Sequence, residues 1–564
     1  MTQSKLSQKW GHFIVALILS CIIFLISEIT ILETLGGSSV LVKLVVWGKD
    51  LLLSAFLLQQ GPTAFSLSST AMFGSLSILI LSILIASTIV WKFRVKHYNQ
   101  TDLFHIRGPR LLRGSKATRH FRRATKREGK RGLFIHPSLQ ISLKKEVGNF
   151  LIWGMQGAGK SNLIKFLIKQ ILQRKDRALI YDIKGEYTEL FLENSCLLLS
   201  PRDERSVNWN LGLDITDVGL AEVFAESVIS SNITKETFWV DSARVVLIGV
   251  IVGLIKAGKP WSWTELSKHL FCKDDELLKW LADAYPQAAT LIQPEDKTTA
   301  SIRSMIATQL SWVKTLAELN QNNSDFFSIR SWLQSTSQKT LIVQGDLTSP
   351  LMSSALITAL LAILTNTVLS KPDNQTESIW LVLDELATLN KSKRLETWLA
   401  LGRSKGCKTI AGVQLLSQLE SIYGKDDANT VLGLFANIVT FKLAPTGDST
   451  EKASVSLGKR RIEYKTATTN EKGEKSYSLH QEEVAIVKPE DLIHLPQPSL
   501  KNGIEGFALI SGTNAVYHLN WPINSMFEKV AEPFVKRQKK TSEPRKGSTN
   551  RLNRRVRNDD FCKN

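Results

Sequence analysis

The sequence predicts an α/β fold in which a parallel β-sheet with crossover helices follows a helical membrane anchor. Two observations carry this prediction. Beyond the first quarter of the chain, short apolar runs alternate with helical patterns, and one such run leads into the glycine-rich segment GMQGAGKSN (154–162). The first hundred residues instead hold two uninterrupted apolar segments of about bilayer length.

The two N-terminal apolar segments predict transmembrane helices. Residues 12–32 carry one acid, Glu28, near their end, and residues 73–91 carry no charge. Lysines precede the first segment, and lysine and arginine follow the second, so the positive-inside rule places both flanks in the cytoplasm. Residues 33–72 would then face the opposite side, and all residues after the anchor (1–96) would be cytoplasmic.

The same region allows two other interpretations. Residues 1–31 could be a cleaved signal peptide, because a short basic region precedes an apolar core, although no small-x-small cleavage site is evident. Residues 40–58 could form a further span, but Lys43, Lys49 and Asp50 are costly in a bilayer. A third span would also place the glycine-rich segment outside the cell, away from ATP. An amphipathic or protein-packed segment fits residues 40–58 better.

The positive charge of the chain is concentrated in two stretches. The formal net charge is +19, to which residues 92–131 contribute +12 and residues 536–557 contribute +9, so the remainder is nearly neutral. A basic stretch beside a membrane serves topology and attracts anionic lipids, and direct contact with DNA is the other interpretation. The second stretch, nearly devoid of apolar residues, predicts a disordered tail that contacts DNA or acidic partners, or only aids solubility.

Cysteine and histidine usage excludes several classes of site. The five cysteines are scattered singly with no C-x-x-C pair, and the nine histidines form no H-E-x-x-H cluster. These patterns exclude a zinc finger of ordinary spacing and a disulfide framework. They predict a reduced, cytosolic body without a metal site built from cysteine and histidine.

The segment GMQGAGKSN fits the nucleotide-binding pattern G-x-x-x-x-G-K-[ST]. The run NFLIWG that leads into it predicts a buried strand, and NLIKFLIKQIL after it predicts a helix. Glycines let the backbone N–H groups surround phosphates, Lys160 reaches the β- and γ-phosphates, and the Ser161 hydroxyl coordinates Mg²⁺. We therefore predict that ATP is bound by Gly154, Gly157, Ala158, Gly159, Lys160, Ser161 and Asn162.

The segment SIWLVLDELATL (378–389) predicts a second buried strand, which ends in two acids. Asp384 is the predicted Mg²⁺ ligand, together with Ser161, and Glu385 is the predicted general base for ATP hydrolysis. An ordinary cap between a strand and a helix is the structural alternative.

Polar residues also follow two further apolar runs. RALIYDIKGEYTELF (177–191) places Asp182, Lys184 and Gly185 after a predicted strand, and CKTIAGVQLLSQL (407–419) places Gln414 after another. The carboxyl ends of parallel strands gather ligand groups, so Gln414 is a candidate sensor of the γ-phosphate.

Longer segments resemble the coupling proteins of conjugative type IV secretion systems, the TraD/TrwB/TraG group of the FtsK/HerA superfamily. YDIKGEY resembles that group's Y-D-x-K-G-E segment, and PRDERSVNWN its P-x-D-x-R-S-x-x-W-N stretch. FWVDSAR resembles the start of its helical insertion. LGRSKGCKTIAGVQLLSQLESIYG is similar to its G-R-K-x-G…Q-x-x-S-Q-L-x-x-x-Y-G block. The resemblance covers residues 1–530, departs from the common proline at Ile183, and is loose over 443–460.

This resemblance implies a RecA-like P-loop ATPase with an inserted all-α domain, assembled as a hexameric ring around a DNA channel. Arg403 matches the arginine finger that one subunit supplies to its neighbour's γ-phosphate, and Lys425 is a weaker candidate for phosphate or interface contact. The predicted domains are a membrane anchor (1–96), a basic juxtamembrane linker (97–135), a nucleotide-binding domain in two parts (136–211 and 338–530), an all-α insertion (212–337) and a disordered basic tail (531–564).

The function implied is that of a DNA translocase driven by ATP at the bacterial inner membrane, which couples a relaxase–DNA complex to a type IV secretion channel in conjugation. The implied partners are DNA, single- or double-stranded, the relaxosome proteins, channel components and the membrane. An ATP-gated receptor for protein substrates, without DNA translocation, is the alternative. A chromosome-segregation motor is less favoured, because such motors usually carry more spans and no winged-helix domain follows the ATPase core here.

Overall fold

The computed structural model describes residues 104–193, 195–229, 237–320, 326–346, 348–373, 377–469, 475–523 and 527–537. The predicted transmembrane segments, 12–32 and 73–91, and the tail beyond Arg537 lie outside the described residues. The chain forms two compact units. The larger combines His105–Ile462 with Glu482–Asn564, and the smaller combines Met1–Phe104 with Glu463–Gln481. The nucleotide motifs all belong to the larger unit.

The described residues form seventeen strands, which are short and mostly buried. In chain order they are β1 (Phe104–Arg107), β2 (Arg110–Arg113), β3 (Arg131–His136), β4 (Leu139–Ser142), β5 (Phe150–Trp153), β6 (Arg177–Asp182), β7 (Cys196–Leu199), β8 (Asn208–Trp209), β9 (Phe326–Phe327), β10 (Thr340–Gln344), β11 (Ile379–Leu383), β12 (Cys407–Val413), β13 (Asn437–Thr440), β14 (Lys459–Thr469), β15 (Lys475–Ala485), β16 (Ile504–Leu509) and β17 (Ala515–Trp521).

The described residues also form eighteen α-helices. They are α1 (Gly114–Thr125), α2 (Leu143–Glu146), α3 (Lys160–Gln173), α4 (Glu186–Phe191), α5 (Leu211–Asp214), α6 (Val218–Val228), α7 (Thr237–Lys256), α8 (Trp263–Leu270), α9 (Asp274–Ala284), α10 (Pro286–Ala289), α11 (Lys297–Asn320), α12 (Ile329–Gln334), α13 (Pro350–Leu369), α14 (Lys393–Leu401), α15 (Leu416–Tyr423), α16 (Lys425–Gly433), α17 (Ser449–Leu457) and α18 (Pro489–Ile493).

A ten-stranded sheet organises the larger unit, in the order β2-β17-β16-β13-β5-β12-β11-β6-β10-β7. The seven strands from β13 to β7 are all parallel, as their near-continuous apolar sequences predict. At the other edge β16 runs antiparallel to both of its neighbours. The predicted α/β fold is confirmed, but the sheet is mixed. The turn between β16 and β17 contains Gly512 and Asn514 at positive φ, which closes a hairpin rather than a crossover.

Helices cover both faces of the sheet. On one face α1, α3 and the β3–β4 hairpin share a core, in which the Phe121 ring packs edge-on against Tyr517 with 5.3 Å between centroids. On the other face the sheet shares a core with the helices between β8 and β10. There Trp263 packs against Trp209 and Trp312, at 5.9 and 5.6 Å between centroids. The parallel strands are therefore buried on both faces of the sheet. Polar residues follow the strands at their carboxyl ends.

Part of the predicted basic linker (97–135) is built into this sheet unit. Strand β2 pairs in parallel with β17, and α1 packs Ala117 and Phe121 onto the core. The opposite face of α1 is exposed and basic; it consists of Lys116, Arg119, Arg122 and Arg123, and Lys126 follows directly after the helix. Because only two side chains of α1 are buried, its apolar pattern is weak in a sequence dominated by charge.

The largely helical stretch from α5 to α12 starts and ends at one place. Strand β8 precedes this stretch and pairs in parallel with β9, which lies near the end of the stretch. The buried carboxylate of Asp214 accepts hydrogen bonds from Trp209 Nε1 (2.8 Å), Ile329 N (2.8 Å) and Arg330 N (3.1 Å). Because these donors come from both ends of the stretch, Asp214 closes it at its base. This contact gives a structural reason for the tryptophan of the VNWN segment.

Two described helices are long and apolar enough to cross a membrane by length and composition, namely α7 and α13. However, 67% and 78% of their most apolar windows are buried within the fold, as in core helices. Neither coincides with a transmembrane segment predicted from the sequence.

Residues 527–537 form an extended segment, here called the C-terminal strap, that lies along the carboxyl ends of β6 and β10. Its contacts are Val530 N to Glu189 O (2.9 Å), Arg205 Nη1 to Glu532 O (2.9 Å), Gln344 Nε2 to Pro533 O (2.6 Å), Val535 N to Asp203 Oδ2 (2.9 Å) and Glu204 N to Val535 O (2.9 Å). Asp203 is fully buried and also pairs with Arg205 at 2.7 Å. The first seven residues of the predicted tail, 531–537, thus belong to the strap.

A buried charge cluster lies at the amino end of β12. The Glu146 carboxylate, which is fully buried, accepts hydrogen bonds from Arg174 (2.7 Å), Lys408 (2.7 Å) and the backbone N–H of Leu133 (2.7 Å). Lys408 is itself buried. A charge that is buried among several donors is costly to remove, because its partners keep their charge without compensation.

The Glu146→Gln variant is therefore expected to lose about 3 kcal/mol of unfolding free energy. Urea unfolding followed by tryptophan fluorescence measures the loss. The matched control is Glu226→Gln, which breaks an exposed ion pair with Arg394 and should change stability by less than about 1 kcal/mol. Equal effects of the two substitutions would contradict the role assigned to Glu146.

Candidate nucleotide-binding site

The glycine-rich segment forms a loop between β5 and α3. Gly157 and Gly159 have φ angles of 73° and 106°, in the left-handed region that favours glycine. A Cβ atom at Gly159 would also lie 2.6 Å from the side chain of Ile504. Lys160 begins α3, and its ammonium lies back across the loop, donating to Gly154 O at 2.8 Å. The first amides of α3 carry no intrahelical partner, so this end of the helix favours an anion.

Ala158 in the loop and Asn162 in the first turn of α3 are packed rather than open. Ala158 is buried at 2% exposure, and the Asn162 side chain donates to Pro522 O at 3.1 Å. The Asn162 contact ties the start of α3 to the segment after β17, on the antiparallel side of the sheet that the sequence did not predict.

The two acids that follow β11 lie beside this loop. In the sheet only β12 lies between β11 and β5, the strand that leads into the loop. The carboxyl end of β11 is therefore two strands away from the loop. Asp384 Oδ1 is 3.3 Å from Ser161 Oγ, within reach of a single hydrogen bond. The residues predicted to hold Mg²⁺ are thus adjacent, and a hydroxyl paired with a carboxylate is an oxygen donor set that Mg²⁺ accepts.

Glu385 lies in the same buried region, and its carboxylate lacks a fixed partner. Both of its oxygens are buried, and neither accepts a hydrogen bond of ordinary length and angle from the residues that the structure describes, although amides of Gln414 and Ala387 lie close enough to act on its pKa. Burial raises the pKa of Glu385, while Lys160 and the backbone and side-chain amides of Gln414 oppose that rise. Buried polar atoms nearly always form hydrogen bonds with protein or with ordered water. A buried carboxylate without a well-formed protein hydrogen bond is therefore suited to bind a water molecule.

The pKa of the Lys160 ammonium is lowered by its surroundings, with burial as the largest cause. Burial lowers the pKa of its ammonium, the nearby carboxylates of Glu385 and Asp384 raise it, and Lys184 lowers it again. Lys184 is exposed and follows β6, on the same side of the sheet as the loop. The site therefore holds two acids and two lysines around the loop, as required for a polyanion bound with a divalent cation.

The structure separates Arg403 from the other predicted residues. Gln414 comes directly after β12, near Glu385, whereas Arg403 lies in a 3₁₀ turn (Gly402–Lys405) before the same strand begins. The seven residues of β12 span roughly 20 Å. Arg403 is exposed, and its guanidinium has no ion-pair or hydrogen-bond partner among the described residues. Within one chain Arg403 thus lies near the amino ends of the parallel strands, whereas the loop lies at their carboxyl ends.

Two positions important to the geometry were not singled out from the sequence. The Tyr187 hydroxyl donates to Asp384 Oδ1 at 2.7 Å, and Gly412 lets β12 pass close to the main chain of Asp384. Burial, with Asp384 nearby, raises the pKa of Tyr187 well above its usual value. Tyr187 lies in the YDIKGEY segment, but nothing in the spacing of that segment indicates which acid its hydroxyl meets.

Gly412→Ala is expected to displace Asp384 and to abolish nucleotide hydrolysis. A Cβ at position 412 would lie 2.0 Å from the carbonyl oxygen of Asp384, and relief of such overpacking typically costs about 1–3 kcal/mol of stability. Melting temperature and ATP turnover measure the two effects. The control is Gly433→Ala in α16, where the new methyl group meets no atom within 4 Å. Normal turnover by Gly412→Ala would show that β11 and β12 tolerate a wider separation.

Comparison with known proteins identifies the family to which this chain belongs. Residues 133–508 match the family described as the type IV secretion-system coupling protein DNA-binding domain. The chain belongs to the type IV coupling protein family. The resemblance seen in the sequence is confirmed, and its motifs all fall in or around the matched range.

Individual coupling proteins are similar over long stretches. Coupling protein TraD of Escherichia coli (strain K12) is 26% identical over 343 residues, which are 60% of this chain and 47% of TraD. The chain thus spans about half the length of this curated relative. The unbound bacterial conjugative coupling protein TrwBdeltaN70 is 26% identical with a TM-score of 0.66, covering 77% of this chain and 97% of that one. Plasmid coupling protein TrwB in complex with ADP and Mg²⁺ is 25% identical with a TM-score of 0.64, covering 78% and 99%.

Proposed function

We propose that this coupling protein is a membrane-anchored ATPase that moves DNA, linking a relaxase–DNA complex to a type IV secretion channel during conjugation. The observation that carries the proposal is the convergence of Lys160, Ser161, Asp384 and Glu385 at one sheet edge, in a chain of this family. That TrwB is known in complex with ADP and Mg²⁺ supports ATP and Mg²⁺ as the cofactors.

Each residue of the site has a distinct part in hydrolysis. The loop amides and Lys160 bind the phosphates, while Ser161 and Asp384 would hold Mg²⁺. When bound, Mg²⁺ neutralises charge on the phosphate oxygens. Glu385 accepts a proton from the attacking water, for which its buried and unpaired carboxylate is suited. Gln414, beside Glu385, lies where it can sense the γ-phosphate.

The position of Arg403 supports a ring assembly. Its guanidinium is exposed and lies at the far edge of the sheet from its own loop, so it can complete only the site of a neighbouring subunit. A hexamer around a DNA channel provides such neighbours. In this proposal the all-α insertion keeps its predicted bounds, 212–337. Support comes from Asp214 and the β8–β9 pair, which join the two ends of that stretch.

Location and partners complete the proposal. The segments at 12–32 and 73–91 anchor the chain in the bacterial inner membrane, and the ATPase faces the cytoplasm. Relaxosome proteins, channel components and DNA are the partners. The basic tail contacts DNA or the relaxosome. Its start is held by the strap at the carboxyl edge of the sheet, the edge that also carries the nucleotide loop.

The test is ATP hydrolysis by the full chain in lipid nanodiscs, with and without single- and double-stranded DNA. A motor predicts that DNA raises turnover, that Lys160→Ala abolishes it, and that activity rises more than linearly with enzyme concentration. Turnover that ignores DNA but responds to a purified relaxase would instead support the alternative, an ATP-gated receptor for protein substrates. The nearly neutral body of the chain is compatible with either outcome, because a DNA channel needs only a local basic lining.

A further inference from the structure

We propose that Tyr187 is a positioning residue for the Asp384 carboxylate, and that it sets how tightly the site holds Mg²⁺ with nucleotide. This inference rests on the proposed function, since it assigns Asp384 to the metal. It adds a residue from outside the two nucleotide motifs, on a different strand–helix connection.

The contact is short, buried and directed at the oxygen that Ser161 also approaches. Tyr187 is 2% exposed, and its hydroxyl donates to Asp384 Oδ1 at 2.7 Å. Ser161 Oγ lies 3.3 Å from the same oxygen. A tyrosine hydroxyl, whose ordinary pKa is about 10, keeps its proton at neutral pH and so acts as donor to the carboxylate.

Two donors on Oδ1 leave the other carboxylate oxygen available. Among the residues that the structure describes, none donates a hydrogen bond to Asp384 Oδ2. A carboxylate fixed through one oxygen presents the second in a defined direction, to a metal ion or to its bound water. Groups that orient a metal ligand in this way typically change metal affinity by about 10- to 100-fold when they are removed.

The helix that carries Tyr187 is itself held firmly. The buried carboxylate of Asp182 accepts hydrogen bonds from the backbone N–H and the hydroxyl of Thr188, at 2.7 and 2.8 Å. Glu186 pairs with Lys165 of α3 at 2.7 Å, which ties α4 to the helix that begins at Lys160. Since α4 is tied both to Asp182 and to α3, the Tyr187 hydroxyl is preorganised rather than free to swing away.

The residues around the contact also provide a matched control. Tyr181 lies on β6, just before α4, and is buried at 4% exposure. Its hydroxyl lies beside Gly345, not beside Asp384. Tyr181→Phe and Tyr187→Phe therefore remove the same atom from two buried rings and keep the rings themselves, but only the second removes a hydrogen bond to Asp384.

The experiment measures binding of a fluorescent N-methylanthraniloyl-ATP to the full chain in nanodiscs, first in EDTA and then across a Mg²⁺ titration. We expect Tyr187→Phe to raise the Mg²⁺ concentration needed for half-maximal effect by about 10-fold or more. Its nucleotide affinity in EDTA should equal that of the wild type, as should its melting temperature. Tyr181→Phe should match the wild type throughout.

Three results would overturn the inference, and they differ from a failure of the proposed function. A Mg²⁺ half-point for Tyr187→Phe equal to that of the wild type would show that the hydroxyl does not act on the metal. Equal weakening in EDTA and in Mg²⁺, with a lower melting temperature, would show a packing role only. An identical shift in Tyr181→Phe would show a general effect of losing a buried hydroxyl. If the wild type itself bound no nucleotide, or bound it without regard to Mg²⁺, the proposed function would fail first.

Discussion

Alanine at position 403 is expected to lower DNA-stimulated ATP turnover by about 10³-fold or more, since arginine fingers typically contribute 10³–10⁵. Nucleotide affinity should be unchanged, because Arg403 is exposed and far from the loop of its own chain. Steady-state turnover and nucleotide binding measure the two quantities. The control is Arg394→Ala on α14, which removes another surface arginine whose partner is the exposed Glu226.

A mixing experiment separates action across an interface from action within one chain. Arg403→Ala subunits keep Lys160, and Lys160→Ala subunits keep Arg403. If Arg403 completes a neighbour's site, a mixture of the two inactive variants should recover part of the turnover. No recovery from mixtures that demonstrably assemble together would contradict the ring mechanism, whatever the activity of each variant alone.

Glu385→Gln is expected to lower the rate of hydrolysis by about 10²- to 10⁴-fold while leaving ATP bound. Glutamine has nearly the same shape as glutamate but cannot accept the proton of the attacking water. It also removes a buried negative charge that has no hydrogen-bond partner among the described residues, so the fold should not suffer. Single-turnover hydrolysis and retention of bound ATP are the measurements.

The matched control for this variant lies at the opposite end of the same strand. Glu377→Gln, just before β11, breaks an ion pair with Arg177 in which the glutamate is 40% exposed. It should leave hydrolysis unchanged. Loss of ATP binding in Glu385→Gln would assign Glu385 to nucleotide binding rather than to proton transfer.

Most of the nucleotide site could be predicted from the sequence because its parts are local. Lys160 and Ser161 follow a strand within one short loop, and Asp384 and Glu385 directly follow another. Parallel strands bring their carboxyl ends to one edge, so strand order need not be known for these residues to meet. The same reasoning predicted Gln414, which the structure places beside Glu385.

Other parts depend on contacts that no local pattern encodes. Tyr187 meets Asp384 across a separation of 197 residues, and Asp214 joins Trp209 to Ile329 across more than a hundred. The helix α1 is not evident in the basic stretch, because only two of its side chains are buried and most of the others are charged or polar. The antiparallel pairing of β16 with β17 depends on one turn, at Gly512 and Asn514, and the surrounding sequence does not predict a hairpin there.

The C-terminal strap also changes how shortened chains should be interpreted. Composition alone would suggest removing everything after residue 530 as a dispensable tail. Such a deletion would also remove the backbone N–H of Val535 from the buried Asp203 carboxylate and the carbonyl of Pro533 from Gln344. Weak DNA transfer by that variant would then reflect a loosened ATPase core as much as lost basic charge. A chain that ends at Arg537 keeps these contacts, so its phenotype reports on the tail alone.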